Sequence, residues 1–247
     1  MLEFVHVTKK FGDVVALEDI SFKVNDGDFL FITGSSGSGK TTLLRLILRE
    51  IRPDEGKILI DDQDITKMLE KNVPKLRQKI GFIFQDFKVL PERTVRENVE
   101  VALAVIGLPK NEWKLRVDHV LNLVGLNQRS EFFPSQLAGG ELQRVSMARA
   151  LVVNPKIILA DEPTGNLDWK TADKIIDLFE KINQEGKTVL MATHNRLIVE
   201  KCKKRTIELY EGKIISDSGG KGRKIDKSLN DNDYKDLEDK RGKEKQK

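Results

Sequence analysis

One stretch, Gly34-Ser35-Ser36-Gly37-Ser38-Gly39-Lys40-Thr41, restricts this chain more than any other. It fits the pattern GxxxxGK[ST], and its flanks are the ones that pattern needs. An apolar run, Phe29 to Thr33, precedes it, and a helix-patterned stretch, Thr42 to Leu48, follows. A strand that breaks at glycines and restarts as a helix curls its backbone N–H groups around a small concavity. The helix N-terminus adds partial positive charge there, so the turn is built to cradle phosphate oxygens. Lys40 is placed to reach the outer phosphates, and the Thr41 hydroxyl is placed to ligate Mg²⁺.

The rest of the chain supplies the scaffold such a turn requires. Phe29 to Thr33, Ile80 to Phe84, Ile157 to Ala160 and Thr188 to Ala192 are short, nearly continuous apolar runs, as expected of parallel strands buried on both faces. Leu17 to Val24 instead alternates, with Ile20, Phe22 and Val24 opposed to Asp19, Ser21 and Lys23. That is a half-buried strand of an antiparallel layer, to which Leu2 to Val7 and Gly56 to Ile60 also belong. Helical periods lie between: Trp113, Val117, Val120, Leu121 and Val124 share one face, as do Ala172, Ile175, Ile176, Phe179 and Ile182. The expected fold is therefore α/β, with a parallel core sheet and an N-terminal antiparallel β layer. Residues of about 86–155 show helical patterning without a convincing strand and read as a helical subdomain inserted into the core. The folded domain is expected to span residues 1–216. Residues 217–247 are dense in Lys, Asp and Glu and read as a charged, disordered tail.

Composition narrows the partners. With 43 Lys and Arg against 39 Asp and Glu, the net charge of +4 does not call for nucleic acid. No apolar run approaches the roughly 18 residues of a membrane span, and the N-terminus has no signal-peptide core. The single cysteine, Cys202, cannot form an intrachain disulfide, which fits a reducing compartment. A cytoplasmic chain is expected, reaching any membrane only through a partner.

Polar groups recur where the apolar runs end. Ile157-Ile158-Leu159-Ala160 is followed by Asp161-Glu162, at the carboxyl edge where open α/β sheets bind ligands. Asp161 suits the outer Mg²⁺ shell; Glu162, aimed the other way along the pleat, is a candidate base for an attacking water. An apolar run ending in Asp-Glu is a weak signal alone and a strong one beside the phosphate turn. Gln85 ends the run Ile80 to Phe84, and His194 follows the strand Thr188 to Thr193, so four strand ends present polar groups to one crevice. His6 and His119 have no such setting.

These residues resemble the ATPase subunits of ABC transporters over roughly Met1 to Ser216. The distinguishing element is Leu137-Ala138-Gly139-Gly140-Glu141 just before the helix Leu142 to Val153, which resembles that family's signature loop. With the phosphate turn, Gln85, Asp161-Glu162, the Asn166-Leu167-Asp168 turn and His194 in that order, the match is specific. The resemblance implies a P-loop NTPase of ABC type that binds MgATP and hydrolyses it. It implies a head-to-tail homodimer in the ATP-bound state, each ATP held between residues 34–42 of one copy and residues 138–141 of the other. It further implies that Phe11 stacks on adenine, that Gln85 senses Mg²⁺ and the partner, that Asp168 communicates across the dimer and that His194 contacts the γ-phosphate. Two positions depart from the family pattern. Ala138 stands where a serine is usual and removes a hydroxyl from the closed site, and Trp169 stands where a proline is common.

Residues 84–99, Phe84-Gln85-Asp86-Phe87-Lys88-Val89-Leu90-Pro91-Glu92-Arg93-Thr94-Val95-Arg96-Glu97-Asn98-Val99, resemble the cell-division branch of that family, the FtsE ATPases. That branch implies an integral membrane partner, FtsX, a peripheral position on the inner face of the plasma membrane, and a mechanical output controlling cell-wall hydrolysis. Lipoprotein-releasing and macrolide-export ATPases share much of this sequence and remain the alternative. Phe87, Leu90 and Val95 also suit an ordinary subdomain core. A nucleotide-gated scaffold with little turnover is the third reading, opposed by Glu162 and kept open by Ala138. ABC proteins that act on ribosomes or DNA carry second ATPase domains or long coiled coils, and this chain has neither.

Overall fold

The computed structural model describes residues 1–219 and contains two sheets. The larger has six strands in the order β10-β9-β3-β8-β7-β6. These are β3 (Phe29–Thr33), β6 (Ile80–Ile83), β7 (Ile157–Asp161), β8 (Thr188–Ala192), β9 (Arg205–Tyr210) and β10 (Lys213–Asp217). All neighbours pair parallel except β9 and β10, which form an antiparallel pair. The continuous apolar runs have a direct cause here. Leu30, Ile32, Leu159 and Leu190 face one apolar cluster, whereas Phe29, Phe31, Ile158, Ala160, Val189 and Met191 face another. A strand buried on both faces needs an apolar residue at every position.

The smaller sheet has the order β2-β1-β4-β5, all antiparallel: β1 (Leu2–Phe11), β2 (Val14–Val24), β4 (Glu55–Ile60) and β5 (Gln63–Asp64). Its alternation holds through Ile20, Phe22 and Val24, which are buried, but Leu17 is buried out of phase. Asp19, at φ 50°, lies in a register shift opposite β1 and resets the phase. The first apolar cluster fills the space between this layer, α1 (Lys40–Ile47), α2 (Val73–Arg77) and one face of the large sheet.

The other face is covered by α3 (Val95–Val105), α4 (Trp113–Leu123), α5 (Gly139–Leu151), α6 (Trp169–Gln184) and α7 (Arg196–Cys202). No strand interrupts residues 84–156. Helix α3 starts at a reciprocal cap: Thr94 Oγ1 accepts from the Glu97 N–H at 3.2 Å, and the Glu97 carboxylate accepts from the Thr94 N–H at 2.8 Å. Helix α5 packs on α3, α4, α6 and β6 and so ties this helical region to the parallel core.

Several boundaries differ from the sequence reading. Helix α5 begins at Gly139 rather than Leu142, because Ala138 takes the extended N-cap conformation and its carbonyl accepts from Glu141 and Leu142. Strand β6 ends at Ile83, and β8 ends at Ala192. Strand β10 runs through Asp217, past the expected edge at 216. Ser218 N–H donates to the Thr206 carbonyl at 3.0 Å, and the Arg205 guanidinium forks onto the Asp217 carboxylate at 2.9 and 2.7 Å. The charged tail expected over 217–247 lies, from residue 220 onward, outside the described residues. None of the helices among the described residues is long and apolar enough to cross a membrane.

Candidate active site

The turn between β3 and α1 holds its shape through glycines that nothing larger can replace. Gly34 sits at φ 143°, and a Cβ there would lie 2.2 Å from the Leu209 carbonyl oxygen. Gly39 sits at φ 104°, with the Ala16 carbonyl 2.6 Å from where its Cβ would be. Lys40 is buried, and its ammonium folds back over the turn, donating to the Gly34 and Ser35 carbonyls at 2.9 Å each. Its charge sits 4.0 Å from Glu162 Oε1. A cation held this way braces the turn and faces whatever the turn encloses.

At the next helical position the Thr41 hydroxyl donates to Asp161 Oδ2 at 2.8 Å. The other carboxylate oxygen, Asp161 Oδ1, is buried without a hydrogen-bond partner among the described residues. Burial pushes the Asp161 carboxyl above its ordinary value, and the neighbouring Glu162 charge pushes the same way, against the Thr41 hydrogen bond and the Lys40 charge. A buried carboxylate oxygen left unpaired beside a hydroxyl, within a phosphate cradle, is the donor set a divalent cation takes. The residues present therefore fit Mg²⁺.

Glu162 does not follow the pleat as the sequence reading assumed. Strand β7 ends at Asp161, and Glu162 turns off it at φ 48° while its N–H donates to the Ala192 carbonyl at 2.9 Å. From that left-handed corner its carboxylate lines the same cavity as Asp161. Glu162 Oε1 lies 2.8 Å from His194 Nδ1, and His194 N–H points at Oε2 over 3.4 Å. The carboxylate thus has two oriented neighbours, His194 and Lys40, and remains largely buried.

One cavity of about 1040 Å³ unites these groups. Of the residues singled out from sequence, Gly34, Ser35, Ser36, Gly37, Gly39, Lys40, Thr41, Thr42, Gln85, Asp161, Glu162 and His194 line it. Ser38 does not; it is buried beneath the turn, and its N–H donates to the Ser35 carbonyl at 3.2 Å. Phe11 is not among the lining residues either. It is exposed at the end of β1 with the Lys9 ammonium 5.3 Å from its ring, while Ala16 of β2 lines the wall. Ala138, Gly139, Gly140, Glu141 and Asp168 also stand outside the cavity. The N–H groups of Gly139 and Gly140 open helix α5 with no acceptor among the described residues, and the Glu141 carboxylate accepts from the Ala138 N–H at 2.9 Å. Asp168 caps α6 by accepting from the Thr171 N–H at 3.1 Å. Trp169 is half exposed beside it, and nothing in the structure explains it.

Sequence reasoning missed the wall formed by Arg196, Val199 and Glu200 of α7 with Thr206 and Glu208 of β9. Arg196 stands two residues after His194, close enough to have been considered. The β9 residues alternate on a strand whose neighbour, β3, carries the turn, so only the strand order could place them.

A family model described as ABC transporter matches residues 17–165. The chain is 48% identical over 218 residues to the cell division ATP-binding protein FtsE of Bacillus subtilis, covering 88% of this chain and 96% of that protein. It is 43% identical over 209 residues to the methionine import ATP-binding protein MetN of Halalkalibacterium halodurans, covering 84% of this chain and 62% of that protein. Among solved structures, a dimeric ATP-binding cassette in a post-hydrolysis state bound to ADP and Pi superposes with a TM-score of 0.79 at 37% identity, covering 90% of this chain and 100% of that one. The chain belongs to the ABC transporter family as one of its ATPases.

Proposed function

We propose that this chain is the FtsE-like ATPase of a membrane complex, and that its closure on MgATP drives a membrane partner rather than carrying a solute. The observation that carries the ATPase half is the single cavity joining Lys40, Thr41, Gln85, Asp161, Glu162 and His194. Residues 34–42 hold the phosphate chain with their backbone N–H groups, and Lys40 neutralises its outer oxygens. Thr41, Asp161 and Gln85 would hold Mg²⁺, which would supply positive charge against the charge developing on the phosphates. Glu162 orients a water and accepts its proton, and His194, 2.8 Å away, fixes the carboxylate and reaches the γ-phosphate. Phe11 flanks the adenine from beside the cavity.

The N–H groups of Gly139 and Gly140 have no acceptor among the described residues. A second copy placed head to tail brings its γ-phosphate to them, with Asp168 at the seam. Only a nucleotide that retains its γ-phosphate bridges the two copies, so hydrolysis reopens the dimer.

The cell-division half rests on near full-length similarity to FtsE and on the surface that follows Gln85. Leu90, before α3, is 38% exposed, and Val101 and Val105, one turn apart on α3, leave an exposed apolar edge, Val105 at 79%. That apolar edge suits a helix of an integral membrane partner of the FtsX kind. The chain would then sit peripherally on the cytoplasmic face, with no contact to nucleic acid. Affinity capture of tagged Glu162→Gln protein with ATP from detergent-solubilised native membranes tests this. A polytopic membrane protein with an extracytoplasmic domain, accompanied by cell-wall factors, is the expected companion. Lipoprotein-release, export or import components instead would overturn the cell-division reading and leave the ATPase reading standing.

A further inference from the structure

The corner that follows Gln85 is built in a way its sequence does not account for. Phe87 and Lys88 both occupy left-handed backbone, at φ 58° and 50°, although neither is glycine. Two consecutive residues of this kind persist only where surrounding contacts hold them. The contacts come from α5. The Arg149 guanidinium donates to the Lys88 carbonyl at 2.7 Å and to the Phe87 carbonyl at 3.3 Å. It has no carboxylate within ion-pair distance among the described residues, and burial alone lowers its proton affinity. Its charge is therefore satisfied by this corner rather than by an anion. Six residues earlier on the same helix, Gln143 Nε2 donates to the Phe84 carbonyl at 3.3 Å.

The corner returns to α5 at its other end. A Cβ on Gly139 would meet the tip of the Phe87 ring at 3.8 Å and Leu167 at 3.5 Å. Asn166 Nδ2 donates to the Gln85 carbonyl at 3.1 Å, and the Gln85 amide lies 3.0 Å from where a Cβ on Gly165 would be. The backbone of residues 84–88 is thus gripped by Gln143, Arg149 and Asn166, and the Phe87 ring lies beside the first glycine of α5.

We propose that Arg149 is a positioning residue for hydrolysis: by holding the Phe87 and Lys88 carbonyls it keeps the Phe87 ring on Gly139 and Gln85 at the cavity wall, so the glycine pair of α5 and Gln85 shift together. This rests on the reading that Gln85 acts at the nucleotide. Arg149 touches neither nucleotide nor water in this scheme. When Gly139 and Gly140 engage a phosphate of a second copy, the displacement of α5 reaches Gln85 through two carbonyl hydrogen bonds and one ring contact. Lysine retains the charge but cannot span two carbonyls with a planar fork.

The test is a double-mutant cycle on the full chain, reading steady-state phosphate release and, separately, equilibrium binding of a fluorescent ATP analogue. Arg149→Lys is expected to lower kcat at least tenfold while analogue affinity stays within twofold, because residues 34–42 are untouched. In a Gln85→Ala background the same substitution should change kcat less than twofold, since Arg149 acts through Gln85. Multiplying losses in the double variant, with Gln85→Ala itself impaired, would overturn the coupling and leave the Gln85 reading intact. A Gln85→Ala variant with unaltered kcat would remove that reading and the proposal with it. A lower melting temperature with unchanged kcat would show that Arg149 serves the fold alone. Should Arg149→Lys prove too unstable to purify, Phe87→Leu reads the same link from the other side, with the same outcomes expected and the same outcomes refuting it.

Discussion

Ala138→Ser separates two properties that the family pattern merges in one residue. Ala138 already has the extended N-cap backbone, φ −75° and ψ 159°, and the Glu141 carboxylate already accepts its N–H at 2.9 Å. A serine there would complete the reciprocal cap by offering its oxygen to the Glu141 N–H. N-cap serines contribute about 0.5–2 kcal/mol over alanine. The low end applies here, because the Glu141 N–H is already paired with the Ala138 carbonyl at 2.8 Å. A gain of about 0.5–1 kcal/mol corresponds to a rise of roughly 1–4 °C in melting temperature for a domain of this size. The serine proton remains free, since a hydroxyl accepts and donates at once. In the closed dimer it is available to a γ-phosphate, where a hydrogen bond to a charged group contributes about 1.5–3 kcal/mol, roughly 10- to 150-fold per site. Thermal unfolding without nucleotide reads the first effect. Sedimentation of the Glu162→Gln variant with and without Ala138→Ser, over a range of ATP concentrations, reads the second. No rise in melting temperature would refute the cap argument. A rise without tighter ATP-dependent dimerisation would refute the placement of residue 138 against the nucleotide of a second copy.

Gly34→Ala and Gly37→Ala test the phosphate turn as a pair. Both glycines have positive φ, so each alanine costs about 1–2 kcal/mol in backbone strain, but only Gly34 has a backbone oxygen 2.2 Å from the new Cβ. Nucleotide titration should show at least a tenfold larger loss for Gly34→Ala; equal losses would show that close packing under the turn does not matter. For Asp161 the sign is unusual. Its carboxyl is raised in the folded chain, so the folded state holds the proton more tightly than the unfolded one. Its contribution is favourable below the ordinary Asp range and is lost as pH rises through the raised value. Without metal at pH 7, Asp161→Asn should therefore melt higher than the parent, converging with it in acid, while hydrolysis falls at least about tenfold. A lower melting temperature at pH 7 in chelator would contradict this.

The parallel core was legible because strands buried on both faces leave uninterrupted apolar runs, and the phosphate turn was legible because its glycines lie between such a run and a helical period. The polar ends at Gln85, Asp161-Glu162 and His194 followed from those runs. What periodicity did not carry is backbone conformation and long-range contact. Glu162 looked like the next residue of a pleat, yet it leaves the strand at φ 48° and lines the same cavity as Asp161. Asn98 reads as a polar helix position, yet it is fully buried, its amide holding the Leu90, Arg93 and Thr94 carbonyls and its oxygen the Leu90 N–H. The grip of Arg149 on residues 87 and 88 spans about sixty positions, which no local pattern encodes. Likewise the wall from Arg196 to Glu208 depends on β9 lying beside β3, a strand order that composition does not reveal.

Steady-state phosphate release by the wild-type chain and by Glu162→Gln, each checked for ATP binding, tests the account most directly. Removing the base while leaving Lys40, Thr41 and the turn intact should lower kcat by about a hundredfold or more, with ATP still bound. Equal turnover in the two proteins would contradict it, because a carboxylate aligned by His194 at 2.8 Å would then have no part in the reaction.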